Sequence, residues 1–191
     1  MQEHLLNTFA QLSDVLQIEL QPEFSVIDYE GQSFIIISIE SDDRFTIRLN
    51  EVDTVISGFD STKLFNIKNA MRIGFIPIDG KKGLLGFGFS YCDFIFFDEN
   101  DFCFVEFKLN AISSAERAIR KRRKEAISQL KNTINLFDDK LAKSYAGLNL
   151  EAYVCTPEFY PRLDASWREL AQDFLEEYGV PLFETNDKIC K

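Results

Sequence analysis

Apolar and polar positions change period several times along this chain, and each change marks an element. Leu5, Leu6, Phe9, Leu12, Leu16 and Leu20 fall on or near one face at helical spacing and predict an amphipathic helix over residues 3–20. FSVIDY, SFIIISIE and RFTIRL follow within residues 24–49. They are rich in β-branched and aromatic residues and are separated by the turn-forming Glu30-Gly31-Gln32 and Ser41-Asp42-Asp43, so two or three strands are expected there. An extended or mixed stretch continues to about residue 80 and ends in IDGKKG. Residues 91–109, YCDFIFFDENDFCFVEFKL, form two apolar runs around Asp98-Glu99-Asn100-Asp101, the pattern of a β-hairpin. Residues 113–137 contain no Gly or Pro, and Ala115, Ile119, Ala126, Leu130, Ile134 and Phe137 recur at helical spacing, with Ser113 or Ser114 as the N-cap. A strand over 150–155 and a helix over 165–178, stopped by Gly179 and Pro181, complete the pattern. From residue 84 the order is strand, strand, strand, helix, strand, helix. The class is therefore α/β (α+β), a mixed central sheet flanked by helices, with an extra N-terminal helix and β-hairpins.

The hairpin carries three charges that do not suit a buried sheet: Asp93, Glu106 and Lys108. A four-residue loop over 98–101 pairs Phe97 with Phe102, and counting back sets Asp93 opposite Glu106 with Lys108 on the same face. Directly opposed side chains have Cβ atoms about 4.5–5.5 Å apart. Cys92, Phe94 and Phe96 then lie over Phe107, Val105 and Cys103, so both faces are apolar, as in a central strand pair covered on both sides. A one-residue slip would send Asp93 to the other side from Glu106. Opposed carboxylates repel unless a cation lies between them, and hard divalent ions take oxygen ligands, so the pattern reads as a metal site. The plain alternative is a structural ion pair of Lys108 with Glu106 or Asp93.

The helix that follows carries Arg117, Arg120, Lys121, Arg122, Arg123, Lys124 and Lys131 against Glu116 and Glu125. Residues 115–131 therefore net +5 in a chain of net charge −10. A localised basic stripe on an acidic protein suits a phosphate backbone, and its place directly after the charged strand favours that over a merely solvated face.

At these positions the chain resembles the PD-(D/E)XK nuclease superfamily, which includes restriction endonucleases and Holliday-junction resolvases. The pattern is Cys92-Asp93, then Glu106-Phe107-Lys108, then Gln129 within a helix, and it covers about residues 70–156. The resemblance implies a restriction-endonuclease-like core over 71–191 with its C-terminal helix, elaborated by an N-terminal helix and strands over 1–70, in one domain of 191 residues. It implies a metal-dependent phosphodiester hydrolase, a nuclease, with DNA rather than RNA as the expected substrate. Asp93, Glu106 and the Phe107 carbonyl would hold Mg²⁺ or Mn²⁺, Lys108 would activate water or bind the scissile phosphate, and Gln129 would support the site. The family also places a Glu on a helix ahead of the first core strand, for which Glu3, Glu19 and Glu51 are the candidates. The Pro of the motif is replaced by Cys92. A protein partner or a homodimer is the further expectation. The alternative function is a non-catalytic nuclease-like module, a subunit, adaptor or immunity protein of a defence or mobile-element system.

Composition narrows these readings. With 46% hydrophobic residues, the chain can bury a sizeable core. No run of about 18 apolar residues is present, so no membrane contact is expected. The N-terminal residues lack a basic region and a cleavage-type site, so a cytoplasmic protein is expected. The four cysteines have no zinc-type spacing and read as reduced thiols. A single histidine, His4, leaves neither a Ser-His-Asp triad nor a His-rich zinc site. Gly83, Gly86 and Gly88 do not match GxGxxG and no helix follows, which predicts a bend or close approach in a strand before Asp93. The 19 phenylalanines and Trp167 point to a Phe-rich core with a tryptophan anchor.

Overall fold

The hydrophobic alternation resolves into two sheets and one helical layer in the computed structural model, which describes all residues except 42, 50, 51, 59, 87–89 and 191. In chain order the elements are α1 (Gln2–Thr8), α2 (Leu12–Val15), β1 (Gln17–Glu19), β2 (Glu23–Tyr29), β3 (Gln32–Ser41), β4 (Arg44–Leu49) and β5 (Val52–Ser57). A 3-10 turn (Ser61–Lys63), β6 (Leu64–Lys68), β7 (Ile73–Pro77), β8 (Phe94–Phe97) and β9 (Asp101–Phe107) follow. The chain ends with α3 (Glu116–Leu141), β10 (Asn149–Cys155), α4 (Ala165–Tyr178), β11 (Leu182–Phe183) and β12 (Asp187–Ile189). The first sheet has the order β1-β7-β8-β9-β10-β11 and the second β12-β6-β2-β3-β4-β5. Both are mixed, with β9, β10 and β11 parallel in the first and β12 parallel to β6 in the second. The class is α/β (α+β), as the element pattern predicts.

The hairpin β8–β9 is central because both of its faces are apolar. One face (Ile95, Phe97, Phe102, Phe104) packs under the helices, against Leu5 and Phe9, Ala126, Leu130, Ile134 and Phe137 of α3, and Trp167 and Phe174 of α4. The other face (Phe94, Phe96, Cys103, Val105) meets Phe24, Val26, Phe65 and Ile67 of the second sheet. The layers are thus helices, first sheet, second sheet, and phenylalanines fill both interlayer spaces. The N-terminal strands do more than elaborate one sheet. They build a second one, and β1 and β12 are exchanged between the two halves of the chain, so each sheet draws on both.

Three local expectations are corrected. The helix over 3–20 stops at Phe9, whose extended backbone lets Leu5, Phe9 and Leu12 all reach the core, and residues 17–19 become the strand that covers the edge of β7. The first strand of the strand–strand–strand–helix run is β7 rather than one starting at residue 84. Residues 81–85 form turns instead, with Gly83 pressed so closely on the Ile78 and Asp79 carbonyls that a Cβ would lie 2.3 Å from the Asp79 oxygen. Gly88 lies outside the described residues. Helix α3 starts at Glu116 after Ala115 with no side-chain cap, although the Ser113 hydroxyl accepts from the Ala115 amide at 3.3 Å.

Polar groups inside the layers are paired across long sequence distances. Lys188 of β12 is buried between Asp101 (2.7 Å) and Glu151 (2.6 Å), joining the second sheet to the first at the end remote from Asp93. All four cysteines are free and buried. Among the described residues no helix is long and apolar enough to cross a membrane.

Candidate functional site

The ladder from Phe97↔Phe102 to Phe94↔Val105 follows the register that the four-residue loop requires. The paired ladder ends there; Asp93, the residue before β8, leaves the register, its amide donating to the Val105 carbonyl at 3.0 Å, while its carboxylate lies close enough to Glu106 to interact with it. The Asp93 carboxylate turns across the ladder, where Oδ2 accepts from the Phe107 amide at 2.5 Å. Lys108 is the first residue past β9, tied to β10 by its amide, which donates to the Cys155 carbonyl at 2.7 Å. Its ammonium bonds Glu106 Oε1 and, at 2.7 Å, Gln129 Oε1. Gln129 Nε2 in turn donates to the Tyr91 carbonyl at 2.9 Å. One turn further along α3, the Thr133 hydroxyl accepts from the Cys92 amide at 2.8 Å. The helix therefore clamps both the approach to β8 and the lysine that leaves β9. Cys92 is corrected in one respect: it packs on the helix-side core with Phe104 rather than with Phe94 and Phe96, because the chain has not yet entered the strand pleat.

A third carboxylate comes from the second sheet. Asp28, near the end of β2, accepts from the Gly31 and Gln32 amides of the turn that follows, a two-residue connection with positive φ at Glu30 (52°) and Gly31 (73°). Asp28 lines a cleft of about 210 Å³ with Lys63, Phe107, Lys108, Asn110 and Arg122. Its sequence signal is slight: a single acid in the apolar run FSVIDY. The upstream Glu is not found at the expected positions. Glu3 is exposed on α1, Glu19 folds back onto the Leu20 and Gln21 amides, and Glu51 lies outside the described residues.

Electrostatically the acids are strained. Burial pushes the Asp93 carboxyl up to about 6, the Phe107 amide holds it back, and the Asp28 charge adds to the rise. Burial, reinforced by Asp93, drives Glu106 well above the ordinary carboxylate range although Lys108 opposes it. Asp28 is also raised, chiefly by burial, against the pull of the Gly31 and Gln32 amides. The Glu106 side chain is 1% exposed, and that of Lys108 is 15% exposed and reaches the cleft. Two buried oxygens, Glu106 Oε2 and Asp28 Oδ1, meet no hydrogen-bond donor. Buried acceptors left in this way cost free energy unless a cation or a proton satisfies them. Among the described residues no group of three or more His, Cys, Asp or Glu side chains is placed to hold a metal ion. Any ion here would have to complete its coordination with water, backbone or substrate oxygens.

The basic stripe divides by face. Arg117, Arg120, Lys121, Arg122 and Lys124 are exposed, and Arg122 reaches the cleft beside Lys108. Arg122 and Lys121 also meet Glu125, at 3.1 and 3.7 Å. Arg123 is corrected. It is 0% exposed, bonded to Glu184 (2.7 and 2.8 Å), Asp164 (2.9 Å) and the Pro161 carbonyl (2.9 Å), and lies over the Trp167 ring, so it is unavailable to a phosphate. Lys131 points toward α4, pairing with Glu177 over the Tyr178 ring. The chain matches no family model, no curated protein and no solved structure.

Proposed function

We propose that the protein is a metal-dependent phosphodiester hydrolase, a nuclease of the PD-(D/E)XK kind with DNA rather than RNA as its substrate. The observation that carries this reading is the meeting of Asp93, Glu106 and Asp28 beside Lys108 at a cleft, with the Glu106 and Asp28 oxygens lacking donors. Asp93, Glu106 and the Phe107 carbonyl, joined by Asp28, would hold Mg²⁺ or Mn²⁺. When bound, such an ion neutralises phosphate charge and lowers the pKa of attacking water. Lys108 holds its ammonium at the cleft, where it can bind the scissile phosphate or orient the water. Gln129 keeps the lysine there by bridging it to the Tyr91 carbonyl. Arg122 and the exposed cations of α3 draw the polyanion toward the cleft. Four buried free thiols accord with a cytoplasmic site of action.

The deciding experiment incubates the protein with Mg²⁺ or Mn²⁺ and a panel of plasmid, linear, single-stranded and junction DNA and RNA, with Lys108→Ala in parallel. Metal-dependent cleavage that falls about 10²–10⁴-fold in the variant is expected. Full activity in Lys108→Ala would sink the mechanism.

A second reading is favoured by one observation: the Lys108 ammonium is already shared between Glu106 and Gln129, as a purely structural ion pair would be. On that reading the protein is a non-catalytic adaptor, subunit or immunity protein. Tight binding of a protein partner regardless of metal, with no cleavage of any nucleic acid, would select it.

A further inference from the structure

We propose that the polynucleotide enters this centre as a single strand, with an unpaired base seated on Phe159 at the outer end of a groove. The proposal rests on the nuclease reading and adds the form of the substrate. The small cleft at the carboxylates does not end at Lys108. Lys63, Leu109, Asn110 and Ala111 also line a second cavity of about 610 Å³, so the two are continuous, and the outer one is bounded by Ile112, Pro157 and Phe159. Ile112 is 96% exposed and Phe159 is 51% exposed. Two large apolar side chains at the lip of a polar cleft are a surface suited to an apolar face of a ligand.

The platform is rigid. Phe159 stacks edge-to-face on Tyr160 at 5.3 Å, and Tyr160 is itself buried against the Arg123 guanidinium. The half-exposed Phe159 ring beside this buried tyrosine offers apolar surface on which a base can stack. Charge is distributed to match a strand lying lengthwise. Lys108 and Arg122 line the inner cleft, Asp60 and Glu158 line the outer groove, and Lys63 stands between them, lining both. Asp60 is occupied with the 3-10 turn, accepting from the Thr62 amide and pairing with Lys63 at 3.6 Å. Phosphates are thus favoured on the inner side and uncharged bases on the outer. The acids themselves are recessed between the second sheet, which supplies Asp28 and Lys63, and α3, which supplies Arg122.

The test is fluorescence anisotropy with labelled oligothymidylate, oligouridylate and a blunt duplex of equal length, with Ca²⁺ replacing Mg²⁺, on the full chain and on Phe159→Ala and Phe159→Trp. The expected result is tighter binding of single strands than of duplex. About tenfold loss for single strands in Phe159→Ala, recovery in Phe159→Trp, and unchanged duplex binding should accompany it. Oligothymidylate against oligouridylate separates DNA from RNA as the source of the strand. The indole introduced by Phe159→Trp should be quenched on binding, which reads stacking directly even where the alanine variant folds poorly. Unchanged single-strand affinity in Phe159→Ala, no quenching, or preference for duplex overturns the proposal. If these arise while Lys108-dependent cleavage persists, the nuclease reading stands alone. Phe159-dependent single-strand binding without cleavage under Mg²⁺ would instead retain the seat and remove the nuclease.

Discussion

Replacing Asp93 by Asn should stabilise the protein in the absence of divalent ions while abolishing metal binding. The Asp93 carboxyl titrates at about 6 rather than at its ordinary 3.8. That gap corresponds to about 3 kcal/mol by which the folded state disfavours the ionised form. The sign follows from proton counts. Between the ordinary carboxylate range and pH 6 the unfolded chain has released this proton and the folded chain retains it. Stability therefore falls as pH rises through that window and stays lower above it. Asparagine removes the charge but keeps an oxygen to accept from the Phe107 amide, now without charge assistance. Allowing for that loss, and for the partial exposure of residue 93, leaves about 2 kcal/mol of net gain at pH 8. For a chain of this length it is a rise in Tm of about 4–8 °C. Thermal melts of the metal-free protein at about pH 3 and pH 8 measure it: the two proteins should draw together at about pH 3, below the ordinary carboxylate range, and separate at pH 8. Adding Mg²⁺ should then raise the Tm of the parent only. A variant no more stable than the parent at pH 8 would refute the claim that Asp93 is held at an electrostatic cost.

Other outcomes follow from the same geometry. Gln129→Ala should lower kcat about tenfold with KM unmoved, since it frees Lys108 without touching substrate; a rise in KM at constant kcat would contradict that role. Arg120→Glu combined with Arg122→Glu should weaken nucleic-acid binding and reduce the slope of log affinity against log salt by about 1–2, as measured by a salt titration. An unchanged slope would reduce the exposed stripe to a solvated face. Arg123→Ala should instead cost about 3–5 kcal/mol of stability, because Glu184 and Asp164 lose their buried partner, and it should lower Tm by about 10 °C. A melt within about 2 °C of the parent would show the network to be expendable.

What could be read from the chain was local. The turn at Asp98-Glu99-Asn100-Asp101 between two apolar runs set the β8–β9 register from Phe97↔Phe102 to Phe94↔Val105. Gln129, singled out by the resemblance rather than by the α3 periodicity, does meet Lys108. Helix α4 was legible to its ends, because Gly179 adopts the left-handed conformation that stops it. Less was legible at the N-terminus. Nothing in residues 3–20 announces the break at Phe9, since neither Gly nor Pro stands there; the unpaired edge of β7 decides it.

Nearest-neighbour chemistry, then, was enough to determine the class, the strand runs, the central hairpin and the Asp93-Glu106-Lys108 constellation. Turn formation and side-chain alternation act over a few residues and leave their mark in composition. Tertiary structure alone decided that Asp28 joins those carboxylates, that β12 returns to pair with β6, and that Arg123 leaves the basic stripe. In the sequence Arg123 stands in the same basic run as Arg122, although its spacing from Ile119 and Ala126 sets it on the apolar face. What separates them is which helix face meets Asp164 and Glu184, 41 and 61 residues downstream. Pairing at that separation is set by the packing of whole layers, in which a buried charge must find its partner wherever the chain has brought one.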